Sequence, residues 1–131
     1  MTTRKQALVP QNWIGSVPEY VAYSTFISLG KRDELDFTFQ SAQMGGRMEK
    51  GGAVLDFLFT NPPDLAVNVQ GVYYHYGMGI EPTAMDIIHR EQLAGSGITL
   101  IFLDEDDLMK DPEYYCREAL QYRDHSRLGG L

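Results

Sequence analysis

The sequence predicts an α/β fold, a central mixed β-sheet flanked by helices in the order α-β-β-β-α-β-α. Three observations lead there. The segment ELDFTFQSAQ (34–43) alternates, with Leu35, Phe37 and Phe39 on one side, the period of a half-buried strand. The turn NPPD, with Pro62 and Pro63, separates two apolar runs, AVLDFLFT (53–60) and LAVNVQG (65–71), and so predicts a hairpin. A helical pattern, PTAMDIIHREQLAGSG (82–97), then lies between the run at 65–71 and a further apolar run, ITLIFLD (98–104). A helix between two strands is a crossover, which layers helices on a sheet.

The remaining elements follow in chain order. SVPEYVAYSTFISLG (16–30) reads as a helix, capped by Ser16, with Pro18 in its first turn and Gly30 at its end. MGGRMEKGG (44–52) reads as a loop. The helix at 82–97 should end at Gly95 or Gly97. DPEYYCREALQYR (111–123) reads as a last helix, with Pro112 in its first turn. Residues 1–131 fit one domain, with 1–15 and 124–131 expected as extended tails.

Composition narrows the class. With 44% hydrophobic and 22% charged residues, the chain has enough apolar material for a core. It has no long apolar run, so no membrane span is expected. The start, MTTRKQALVPQNW, lacks the apolar stretch of a secretory signal. The single cysteine, Cys116, allows no internal disulfide and suits a reducing, cytoplasmic setting. A net charge of −7 opposes a simple nucleic-acid-coating protein, but it is compatible with an acidic site that holds a cation.

The chemistry concentrates around the hairpin. Asp56 interrupts AVLDFLF, where a charge is costly unless paired or bound to metal. By strand alternation its side chain should point away from the face of Leu55 and Phe57. Asn68 and Gln70 should share one face of the next strand, with Leu65, Val67 and Val69 on the other. The hairpin would then bring Asp56 beside these amides. His75 follows shortly after, among Tyr73, Tyr74 and Tyr76. Asp86 and Arg90 share a helix face at i and i+4, as a surface ion pair would too. Glu19 sits in a first helical turn, where the helix dipole alone would account for it.

In this order the residues resemble a family. The block VLDFLF…DLAVNVQGVYYHYG…DIIHREQLAGSGITLIFLDEDDL is similar to the very short patch repair endonuclease branch of the PD-(D/E)XK nuclease superfamily. It is also similar to the phage homing endonucleases of the EDxHD type. The matching positions are Asp56, Gln70-Gly71, His75, Asp86 with Arg90, and Gly97-Ile98 leading into an apolar strand. The resemblance implies a restriction-endonuclease-like core and a metal-dependent DNA endonuclease of phage or mobile-element type. It implies that Asp56 binds Mg²⁺ or Mn²⁺, with the backbone carbonyl of Val69 as a further ligand. His75 would be the general base or orient the attacking water, and Glu19 and Asp86 would be the outer acids of the pattern. Gln70 would belong to the same catalytic set. Most of the superfamily has an acid and a lysine on the third strand, where this chain has Asn68 and Gln70.

The expected substrate is double-stranded DNA. Arg47 and Lys50 in the glycine-rich loop, together with Arg90, would meet phosphates, unless the loop is a plain hairpin connection. Tyr73 and Tyr74 would stack on bases, unless they cover the core edge. A homodimer or a separate recognition partner would supply specificity, since none of these segments is expected to form a separate DNA-reading domain. The alternative function is a nuclease fold without catalysis, serving as a binding or assembly module, for example in a virion. The uncharged third strand and the negative net charge favour that alternative.

Overall fold

The computed structural model describes residues 9–13, 15–39, 48–50, 53–71 and 80–129. Helix α1 spans Val17–Ser28, followed by strands β1 (Phe37–Phe39), β2 (Met48–Lys50), β3 (Ala53–Leu55), β4 (Phe57–Phe59) and β5 (Leu65–Gln70). Helix α2 (Ile80–Gly95) leads to β6 (Thr99–Asp104), and α3 (Glu105–Lys110) and α4 (Pro112–Leu120) close the order. Four strands form one mixed sheet in the order β1-β4-β5-β6. The pairs β1–β4 and β4–β5 are antiparallel, and β5–β6 is parallel. The α/β class and the mixed sheet with flanking helices are therefore as expected.

The sheet has an apolar layer on each face. Strand residues Phe37, Phe39, Phe57, Phe59, Leu65, Val67, Ile101 and Leu103 face α1, α3 and α4. Ala66, Leu100 and Phe102 face α2, where they meet Leu93 and Leu128. The first layer is an aromatic cluster. Phe26 of α1 stands edge-on to Phe57 and Phe59, with ring centroids 5.3 and 4.9 Å away. Such edge contacts add to the gain from burying the rings.

The helix ends are set by local chemistry. Ser16 and Glu19 form a reciprocal capping box at the start of α1: the Ser16 N–H donates to Glu19 Oε1 (2.7 Å) and the Glu19 N–H to Ser16 Oγ (3.2 Å). Gly30, at φ +94°, closes the same helix, with the N–H of Lys31 reaching back to the carbonyl of Phe26. Helix α2 ends at the first of the two candidate glycines, Gly95, and the second, Gly97 at φ +85°, forms the cap beyond it, with the N–H of Ile98 reaching back to the carbonyl of Leu93.

Several boundaries differ from expectation. The strand expected over 34–43 is described only at 37–39, and Leu35 is 64% exposed. A turn at 33–36 puts Asp36, not Leu35, inward. Its carboxylate accepts from the Arg32 N–H (2.8 Å), Arg32 Nε (3.1 Å) and Asn61 Nδ2 (3.2 Å). Its carbonyl accepts from the N–H groups of Thr60 and Asn61. The glycine-rich segment read as a loop contains β2, which pairs antiparallel with β3. The strand expected over 53–60 is two strands, β3 and β4, broken at Asp56. A helix of six residues, α3, fills the acidic stretch at 105–110.

Both expected tails carry structure. Trp13 packs on the aromatic layer, stacked on Phe39 at 4.5 Å. Residues 124–129 fold back onto β6, and Leu128 is buried in the α2-side core. Residues 124–131 were expected as an extended tail, but Asp124 and Arg127 bond to β6.

Two outcomes follow for the fold. Phe57→Ala should destabilise the protein by about 3–5 kcal/mol in a urea titration, the usual cost of removing a fully buried phenylalanine. Hydrogen bonds from Arg32 and Asn61 hold the Asp36 carboxyl well below the ordinary carboxylate range. The stability it contributes is therefore present above its unfolded value of about 3.9 and is lost as pH falls below that. Asp36→Asn should flatten the acid limb of the stability–pH curve, and an unchanged acid limb would remove Asp36 from that role.

Candidate functional site

Strands β5 and β6 run parallel and end together, with Gln70 opposite Asp104. In open α/β sheets, ligands bind outside the carboxyl ends of such strands. Here that end gathers polar side chains that are almost wholly buried: Asp56, Gln70 and Asp104 are 0%, 2% and 1% exposed.

Asp56 owes its place to the break between β3 and β4. It stands beyond the paired residues Phe57 and Val67, where regular pairing would set it opposite Asn68. Side chains take over from the backbone ladder at that step. The Asp56 N–H donates to Asn68 Oδ1, and the Val69 N–H donates to Asp56 Oδ2, both at 2.8 Å. The break also reverses the facing of the chain. Leu55 joins the α2-side core while Phe57 joins the α1-side core, so the expectation that they share a face does not hold.

Gln70 shares the α2 face with Asn68 and Ala66, as strand alternation requires. Its Nε2 donates to Oδ2 of Asp86 on α2 at 2.9 Å. Asp104 lies on the same face, in step with Leu100 and Phe102. Its Oδ2 accepts from both the Arg127 N–H and Arg127 Nη1, each at 2.9 Å. Arg127 also reaches Asp106, with Nη2 2.7 Å from Oδ2. That hydrogen bond holds the Asp106 carboxyl below the ordinary range. Burial, then the neighbouring Asp106 and Asp104, pushes Asp107 up.

The structure therefore brings Asp56 to Asn68, and Gln70 to both Asp86 and Asp104. Arg90 lies on the sheet-facing side of α2, over the Phe102 ring at 6.0 Å, with Nη1 2.7 Å from the Leu128 carbonyl oxygen. Glu19 caps α1 at the same end of the sheet. A methyl group placed on Gly15 would come within 2.8 Å of Glu19 Oε1 and 3.0 Å of the Phe39 ring, so Gly15 admits the close approach. Lys50 ends β2, opposite Ala53. His75, Tyr73, Tyr74, Tyr76 and Arg47 lie outside the described residues.

Sequence reading passed over Asp104, Asp106 and Arg127 as site residues. The signal was present, since FLDEDD places acids directly after an apolar strand that follows a crossover helix. Oxygens of Asp104, Asp106 and Asp107 lie within 4.8 Å of one another, a spacing that could hold a cation. Arg127 already meets two of the three. A divalent cation of the magnesium type needs only one or two carboxylates and keeps several waters. Asp56 offers one such carboxylate, fully buried, with Oδ2 accepting from the Val69 N–H. The Val69 N–H bond fixes its orientation.

Comparison with known proteins returns no matching family model, no matching curated protein and no matching solved structure. Among the described residues, no helix is long and apolar enough to cross a membrane.

The two reciprocal bonds should be separable by mutation. Asn68→Leu removes the acceptor for the Asp56 N–H and should cost about 1–3 kcal/mol, the scale for stranding a buried donor. Asp56→Asn keeps an oxygen for the Val69 N–H and should cost less. Equal losses in denaturant unfolding would contradict the assignment.

Proposed function

We propose that the chain is a metal-dependent DNA endonuclease whose centre lies at the carboxyl ends of β5 and β6. The observation that carries this reading is Asp56: a fully buried residue whose carboxylate accepts from the Val69 N–H and whose backbone N–H donates to Asn68, at the sheet end where Gln70, Asp86 and Asp104 also gather.

In this reading Asp56 holds Mg²⁺ or Mn²⁺, with the Val69 carbonyl as a further oxygen ligand. The cation supplies charge neutralisation at the phosphate and a more acidic water. Asp86 fixes Gln70 by accepting a hydrogen bond from its Nε2. His75, five residues after Gln70 in sequence, takes the proton of the attacking water. Glu19 keeps the α1 start in place beside the centre. Arg47, Lys50, Tyr73 and Tyr74 are assigned to DNA contact. Arg90 supports the centre from α2, through Phe102 and Leu128, rather than reaching for phosphate.

The second reading is a nuclease-like fold without catalysis, a binding or assembly module. It is favoured by how many charged groups serve the fold itself. Glu19 is spent on a helix cap, Arg90 on the Leu128 carbonyl, and Arg127 on Asp104 and Asp106.

Supercoiled, nicked and mismatched DNA, each with Mg²⁺ or Mn²⁺ at low salt, should be cut by the native chain. Asp56→Asn and His75→Ala should each lower the rate by roughly 10²-fold or more, the scale for a lost general base or metal ligand. Far-ultraviolet circular dichroism should stay unchanged in both variants. No cleavage of any substrate, together with no calorimetric uptake of Mn²⁺, would exclude the endonuclease and leave the binding module.

A further inference from the structure

A protein that holds DNA through its own surface turns arginines and lysines toward phosphates. In this chain the arginines turn inward. Among the described residues there are five, and each meets an acceptor of the chain itself. Arg32 pairs with Asp36 at 3.1 Å, Arg117 with Glu113 at 2.6 Å and Arg123 with Glu118 at 2.9 Å. Arg90 donates to the Leu128 carbonyl at 2.7 Å, and Arg127 reaches Asp104 and Asp106 at 2.9 and 2.7 Å. Arg32 and Asp36 also stand beside the start of β1, which pairs with the end of β4 and so lies at the far end of the sheet from Gln70.

The carboxyl end of β5 and β6 has the opposite balance. Asp56, Asp86 and Asp104 gather there, and α3 follows β6 directly, with Glu105, Asp106 and Asp107 in its first turn against Lys110 in its last. Arg47 and Lys50, assigned above to DNA, are two cations in a chain of net charge −7. A phosphate approaching this end meets like charge. We propose that the chain captures DNA only in the presence of a divalent cation. The metal-free chain repels the polyanion, and Asp56, once loaded with Mg²⁺ or Mn²⁺, no longer does. Cation binding thus controls access of the substrate as well as the reaction. The proposal rests on the endonuclease reading above.

Fluorescence anisotropy of a short labelled duplex tests this on the native chain, in chelator and in Ca²⁺ at one ionic strength. Ca²⁺ is a hard, oxygen-seeking cation like Mg²⁺. Binding in Ca²⁺ should be roughly tenfold or more tighter than in chelator, the scale of one charged contact. Its dependence on monovalent salt should be shallow, worth about two phosphates, because few side chains displace counterions. Asp56→Asn should remove the Ca²⁺ gain. Glu105→Gln with Asp107→Asn, which touches no residue assigned to the centre, should raise affinity in chelator by roughly threefold, as two charges about 10 Å from a phosphate would. Equal affinity in chelator and in Ca²⁺, with Mn²⁺ still needed for cleavage, would overturn the proposal and leave the endonuclease standing. A metal-free salt dependence worth about six phosphates or more would do the same. A Ca²⁺ gain that survives Asp56→Asn, or no change in the acidic double variant, would equally overturn it. If Asp56→Asn does not fold, the native chain and the double variant decide. No binding with Ca²⁺ or Mn²⁺ and no cleavage of any DNA would sink the endonuclease reading, and the proposal with it.

Discussion

The end of the central sheet is decided by two short hydrogen bonds that run in opposite directions between Asp56 and the strand beside it. Asn68 takes the N–H of Asp56, and Asp56 takes the N–H of Val69. Each side chain thus replaces a backbone carbonyl of the ladder. The pairing of β4 with β5 stops there, yet no backbone donor at this step is left exposed to an apolar interior. Burying an aspartate inside an apolar run would otherwise be costly. The same two bonds turn the chain over, sending Leu55 to one core and Phe57 to the other. The break therefore anchors β3 against the α2 side while β4 supports the aromatic layer under α1.

The rest of the polar end is held by the same exchange of side chain for backbone. Gln70 finds Asp86 on α2, and Asp104 finds both the backbone and the guanidinium of Arg127. A buried carboxylate without such partners would shift toward its neutral form. Arg127 is the main compensation at Asp104 and Asp106, and their carboxylates in turn raise the affinity of its guanidinium for its proton. The chain thus assembles a concentration of acid at one sheet end while covering its edge with its own C-terminal segment.

Much of this was legible in the residues. The α/β class followed from an alternating segment and from apolar runs on either side of a helical one. Alternation correctly placed Asn68 and Gln70 on one face, and Asp56 beside Asn68, because β5 is regular. Alternation failed at Leu55 and Phe57 because it assumes an unbroken strand, and only the partner strand reveals that Asp56 leaves the ladder. The fold-back of residues 124–129 onto β6 was missed for a related reason. Asp124 and Arg127 are polar and look solvated, and nothing in their spacing states that Phe102 and Asp104 need partners. Leu35 looked like a core residue by periodicity, but the Asp36 network at the start of β1 overrode it.

The cation proposed at Asp56 can be read out by paramagnetic broadening with Mn²⁺. Substoichiometric Mn²⁺ should selectively broaden the amide signals of Asp56, Phe57 and Asn68 through Gly71. Asp56→Asn should abolish the effect while leaving the spectrum otherwise folded. Broadening confined to Asp104, Asp106 and Asp107, or none at all, would contradict the account.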